Sequence, residues 1–162
     1  MRVFQTIVAW LIYINCSAQS RNNTNVIGSI YVPSLQSINV DFLQSAAIQF
    51  TKAEEFDHGK LLPSFIRASV VSNVPYLVSV MANSDFFNTT STHSNPMPVS
   101  IISLRDNISN QFVNLSAIAK PLLINKTGNM KTEYTIDASI KPGWNYAGGQ
   151  YSTTLIFTLT PQ

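Results

Sequence analysis

The chain of 162 residues contains one cysteine, Cys16, so it closes no disulfide within itself and must rely on a packed core. Charge is equally scarce: Asp, Glu, Lys and Arg make up 11% of the residues, against roughly 25% in an ordinary soluble domain. Ten basic side chains stand against eight acidic ones without a basic cluster, which removes the electrostatic footprint of a nucleic-acid or anionic-membrane binder. Histidine occurs only at His58 and His93, in separate polar stretches. There is no G-x-S-x-G elbow, no G-x-x-x-x-G-K-[ST] phosphate loop and no H-E-x-x-H zinc pair. The scattered carboxylates select no pair for glycoside hydrolysis. The reading is therefore of a protein that is not an enzyme, with no catalytic residue, cofactor or metal assigned. Glycine and proline are few and dispersed, and no internal period repeats, so neither a linker nor a repeat array is indicated. What fills the sequence instead is neutral polarity: Ser, Thr and Asn take 47 of the 162 positions.

The N-terminus reads MRVFQTIVAWLIYINCSAQS, with one Arg, an apolar run from Val3 to Ile14, and small residues at Cys16, Ser17 and Ala18. The run is shorter than the ~20 residues a membrane-spanning helix needs, and the pattern is that of a secretory signal. We expect a signal peptide over 1–18 with cleavage after Ala18, and a single β-sandwich domain over 19–162. The chain would then be exported, to the periplasm, cell surface or extracellular space, with no membrane insertion after cleavage. Lipidation of Cys16 is the rival, but Asn15 and Tyr13 occupy the places where a lipoprotein signal carries a small and an aliphatic residue.

Beyond the signal no stretch holds a 3.6-residue apolar period for three turns, whereas short alternating runs recur between turn residues. This predicts an all-β, Ig-like or pilin-like antiparallel β-sandwich. Strands are predicted near Val26–Val32, Ser37–Phe42, Ala47–Thr51, Phe65–Ser72, Tyr76–Ala82, Pro98–Leu104, Phe112–Leu115, Leu122–Asn125, Thr132–Ile140 and Gln150–Thr160. The runs TEYTIDASI and YSTTLIFTLT are expected as a hairpin or as neighbours across the sandwich. Val74-Pro75 should force a turn or corner, because proline withholds a ladder donor. Two stretches read as long loops, 52–63 and 83–98.

Within the first loop, Glu54, Glu55, Asp57 and His58 form the densest ionisable cluster, interrupted by Phe56, and a solvated loop fits it better than a calcium site. Phe86 and Phe87 in the second loop, with Trp144 and Tyr146 before the last strand, are the candidate contacts for a ligand or partner; their alternative role is to cap the sandwich core. Sequons of the N-x-[ST] type occur at Asn22, Asn88, Asn107, Asn114 and Asn125.

The segments RASVVSNVPYLVSVMANSDFF and IKPGWNYAGGQYSTTLIFTLTPQ, a strand, a Ser-Asn-x-Pro corner and a second strand, then an aromatic turn and a final strand, carry a resemblance. The chain resembles small exported β-sandwich proteins of Gram-negative bacteria, especially Bacteroidetes, and is similar to fimbrial-type and spore coat protein U-type subunits. Gly149 is the fourteenth residue from the end and Leu155, Phe157 and Leu159 alternate after it, as in fimbrial subunits; the penultimate residue is Pro161 rather than an aromatic. The resemblance implies a structural or adhesive surface, pilus-like subunit whose partners are other such subunits or glycans. A carbohydrate- or ligand-binding module is the second reading. The polar-to-apolar stretch Asn22–Pro33, with Val26, Gly28, Ile30 and Val32 on one side, reads either as a first strand or as a donor segment for a neighbouring subunit.

Overall fold

The computed structural model describes residues 29–90, 95–128 and 131–162. The signal segment and residues 26–28 of the predicted strand Val26–Val32 lie outside the described residues. Residues 29–32, which belong to the N-terminal unit Met1–Val32, carry no regular secondary structure. The second unit is Pro33–Gln162.

This unit contains ten strands, one short α-helix and a 3-10 turn (Val99–Ile101, where the strand Pro98–Leu104 was expected to begin) among the described residues: β1 (Gln36–Phe42), α1 (Ala53–His58), β2 (Lys60–Ser72), β3 (Tyr76–Ala82), β4 (Asn88–Thr89), β5 (Ile102–Asp106), β6 (Val113–Asn114), β7 (Lys120–Asn125), β8 (Thr132–Ile140), β9 (Tyr151–Ser152) and β10 (Leu155–Pro161). They form a five-stranded sheet in the order β1-β2-β8-β5-β6 and a three-stranded sheet in the order β10-β3-β7. A two-stranded ribbon, β4-β9, completes the set, and every pairing is antiparallel. The chain is an all-β antiparallel sandwich. Alternate residues of each central strand point inward: Ile66, Ala68 and Val70 from β2, Leu104 from β5, and Ile136 and Ala138 from β8 meet Tyr76, Val78 and Val80 from β3 and Leu123 from β7.

A disulfide is not what joins the layers at one end. Tyr76 begins β3 in one sheet, Tyr134 lies in β8 of the other, and their buried hydroxyls are 2.9 Å apart. Burial, and then the hydrogen bond to Tyr76, push the Tyr134 phenol up to about 12. The corner between β2 and β3 is where proline was expected to break the ladder. There the fully buried Ser72 accepts from the Val74 amide (3.2 Å) and donates to the Val74 carbonyl (2.6 Å), a local side-chain turn. Gly128 (φ +61°) packs so closely on the Val74 backbone that a Cβ there would lie 2.6 Å from it, so glycine is needed on both steric and conformational grounds.

Several expectations need correction. TEYTIDASI and YSTTLIFTLT are not a hairpin: β8 pairs β2 and β5 in one sheet, whereas β10 pairs β3 in the other. Residues 47–51 form no strand. The predicted loop 52–63 holds α1 and the start of β2. Glu55 causes this: its carboxylate accepts from the Thr51 amide (2.7 Å) and the Lys52 amide (3.2 Å), satisfying donors that open the helix. The predicted strand Gln150–Thr160 is interrupted at Thr153-Thr154. Asn83 holds the break, its side-chain oxygen accepting from the Thr154 amide (3.0 Å) and the Thr153 hydroxyl (3.1 Å). β9 thereby leaves to pair with β4 while β10 stays on β3.

Candidate assembly edge

β10 carries Leu155, Phe157 and Leu159 on its inward face and Ile156, Thr158 and Thr160 outward. It pairs β3 continuously from Leu155↔Ala82 to Pro161↔Tyr76, without a bulge. Its other edge has no ladder partner among the described residues. As a result Leu155, Phe157 and Leu159 pack against the core but remain only half-buried, whereas the inward residues of β3 are fully buried. Phe157 is thus a flank of the core rather than its centre.

On the opposite sheet β1 is likewise an edge strand, pairing β2 from Gln36↔Ser72 to Phe42↔Ile66. Its inward residues Ile38 and Val40 are also half-buried, and Phe42 is 52% exposed although its ring edge meets Phe65 (5.3 Å between centroids). One side of the sandwich is therefore bounded by two edge strands of different sheets, each with an incompletely covered apolar face. Natural edge strands are usually blunted by Lys, by proline within the strand or by a bulge. β10 has no charged residue, and its proline is the last residue of the strand.

A pilus subunit shares this fold. A chain from the structure of a chaperone-usher pilus, solved to address the molecular basis of rod uncoiling, is similar with a TM-score of 0.51. The identity is 13%, and the match covers 90% of this chain and 99% of that one. No family model matches the sequence, and no curated protein matches it. At this identity the likeness establishes the fold, and the fimbrial side of the sequence resemblance is the side that a solved structure parallels.

The four aromatic residues singled out from sequence lie in different surroundings. Phe87 packs against the core with its ring edge-on to Tyr151 (6.4 Å), which is the capping role. Phe86 is 50% exposed, and its backbone bridges Pro98. Tyr146 is half-buried. Trp144 is 61% exposed, stacks on Phe56 (4.9 Å, 27°) and donates its indole N–H to Asp57 Oδ1 at 2.6 Å. Phe50 makes a tilted ring contact with Phe56 (5.7 Å, 53°). No ring contact joins Phe86 or Phe87 to Trp144 or Tyr146 among the described residues.

The same contacts account for the acidic cluster. Asp57 serves Trp144, and Glu55 caps α1 and pairs with Lys60 (3.0 Å). The amide of Thr51, then the Lys60 ammonium, hold the Glu55 carboxyl at about 2. Among the described residues no group of His, Cys, Asp and Glu is arranged to hold a metal ion. Nor is any described helix long and apolar enough to cross a membrane. Sequence reasoning missed the partnership of Phe56 and Asp57 with Trp144, because the residues lie more than eighty positions apart and no local pattern links them.

Proposed function

We propose that the protein is an exported, non-catalytic structural subunit of a pilus-like or other surface fibre, assembling with further copies through the β1/β10 side of its sandwich. The observation that carries this reading is the regular, uncharged β10 edge with its half-buried apolar face. A strand added along that edge would satisfy the free backbone groups and cover Leu155, Phe157 and Leu159 together. The pilus-chain fold supports the reading, as does the signal-like N-terminus. A donor is available within the chain itself: Asn22–Pro33 carries Val26, Gly28, Ile30 and Val32 on alternate positions, and among the described part Ile30 and Val32 are exposed. The adhesive or glycan-binding role drawn from Phe86, Phe87, Trp144 and Tyr146 has less support, since Phe87 is turned to the core and Trp144 is tied to α1.

The test is size-exclusion chromatography with light scattering over a range of concentrations, joined by electron microscopy. Wild type should form concentration-dependent oligomers. A variant beginning at Pro33 should fold but stay monomeric, and Leu159→Lys, which sets a charge on the incompletely covered inward face, should likewise not assemble. A wild type that remains monomeric throughout, with a truncation that unfolds, would end the donor-segment reading.

A further inference from the structure

The outer face of the five-stranded sheet holds a second feature, distant in kind from the assembly edge. Strand register sets Ser139 of β8, Ser103 of β5 and Asn114 of β6 abreast, through the pairs Ser103↔Ser139 and Ser103↔Asn114. Their neighbours Leu104, Ala138 and Ile140 point into the core, so these three point outward. With Ser100, Ile101, Phe112 and Lys141 they line a shallow concavity of about 500 Å³. That is within the roughly 300–1,000 Å³ typical of small-ligand sites.

Part of the lining is held in place and part of it has polar groups without partners. Phe112 is 41% exposed, with the Arg105 guanidinium over its ring at 4.6 Å. Arg105 is itself held by Asp137 (2.6 Å) and Asn110 (2.9 Å), so the ring rests against an immobilised cation. Arg105, then the Ser64 amide, keep the Asp137 carboxyl below its ordinary range, so it stays ionised and paired. Asn114 accepts from the Ser103 hydroxyl through its side-chain oxygen (2.8 Å), which leaves its amide N–H groups free to donate. Among the described residues Ser100, Ser139 and the Lys141 ammonium have no side-chain hydrogen bond or ion pair. The stem of Lys141 lies against Gly59, where an added Cβ would come within 2.4 Å of Lys141 Cγ. No carboxylate lines the concavity.

We infer that this concavity binds a sugar bearing an acidic group. An aromatic wall suits the C–H face of a sugar ring. The row of hydroxyl and amide groups suits its hydroxyls, and the unpaired ammonium of Lys141 suits its carboxylate. Occupancy of the concavity does not depend on assembly, since every lining residue comes from one chain.

The test is titration of ¹⁵N-labelled protein with 3′-sialyllactose and with trigalacturonate, using lactose as the neutral control. Saturable shifts should centre on the amides of Ser103, Asn114, Ser139 and Lys141, with lactose weaker by about fivefold or more. Phe112→Ala should weaken acidic-sugar binding by about tenfold. Lys141→Gln should bring it down to the lactose level, and Ser139→Tyr, which fills the floor, should abolish it, all with unchanged melting temperatures. Trp144→Ala should leave binding intact. The inference fails if none of the three sugars gives saturable shifts, if lactose binds as well as the acidic sugars, or if Trp144→Ala rather than Phe112→Ala removes binding. Were Phe112→Ala to lower the melting temperature, Ser139→Tyr and Lys141→Gln would carry the decision.

Discussion

β7 and β10 are the two edges of the same three-stranded sheet, flanking β3 on either side, yet they are built in opposite ways. β7 opens with Lys120 and Pro121 and pairs β3 through a register shift between Val78 and Ser79, and its Leu122 and Leu123 are buried. β10 is regular, uncharged and left with its apolar face half-covered. β7 thus carries the charge, the early proline and the irregularity that discourage another strand from adding, whereas β10 carries neither charge nor irregularity and has its proline only at the last residue. This asymmetry between the two edges is what the proposed assembly through β10 rests on.

The sharpest way to break the comparison is to truncate one leucine on the closed edge. Leu123→Ala removes a fully buried side chain and should cost about 2–5 kcal/mol in denaturant unfolding. A loss near zero would mean that β7 is as loosely covered as β10. On the open edge Phe157→Ala should cost the isolated chain about 2–4 kcal/mol, somewhat less than the ~3–5 of a fully buried phenylalanine, because part of its ring is left uncovered. In an assembled fibre the same substitution should cost visibly more. Equal costs in monomer and assembly would show that no partner covers this face.

A smaller effect concerns what anchors the closed edge. Asn125 at the end of β7 lies 3.4 Å from both tyrosine hydroxyls, donating toward the Tyr76–Tyr134 pair. Tyr134→Phe should cost about 0.5–1.5 kcal/mol, the worth of one hydrogen bond. The folded pKa of Tyr134 is raised from 10.0 to about 12, so its contribution is complete below pH 10 and is lost as pH rises toward 12. In Tyr134→Phe that alkaline loss should shrink, which a pH series of melting temperatures would measure.

The smallest effect is remote from both edges and serves as their baseline. Glu55 on α1 is depressed from 4.5 to about 2, so it favours the fold above pH 4.5 and loses that contribution as pH falls toward 2. Glu55→Gln should flatten this acid limb of the melting curve slightly and leave the behaviour of β7 and β10 unchanged. An undiminished acid limb would place the sensitivity elsewhere, with Asp137 beside Arg105 as the next group to replace.

The sequence by itself determined the faces of the strands and several of their limits. The predicted spans Tyr76–Ala82 and Thr132–Ile140 are β3 and β8 to the residue, and the Val74-Pro75 corner lies where the chain crosses between sheets. Two-residue alternation and proline's missing donor are local properties, and they survive folding unchanged. Only the tertiary structure decided that TEYTIDASI and the final strand belong to different sheets, that the final strand breaks at Thr153, and that Phe157 is left half-covered. Trp144 and Asp57 likewise meet only in the folded chain, as do Ser103, Asn114 and Ser139 on the outer face. Alternation tells which way a side chain points, but the neighbour that covers it is chosen by pairing between segments far apart in sequence, and no local pattern encodes that choice.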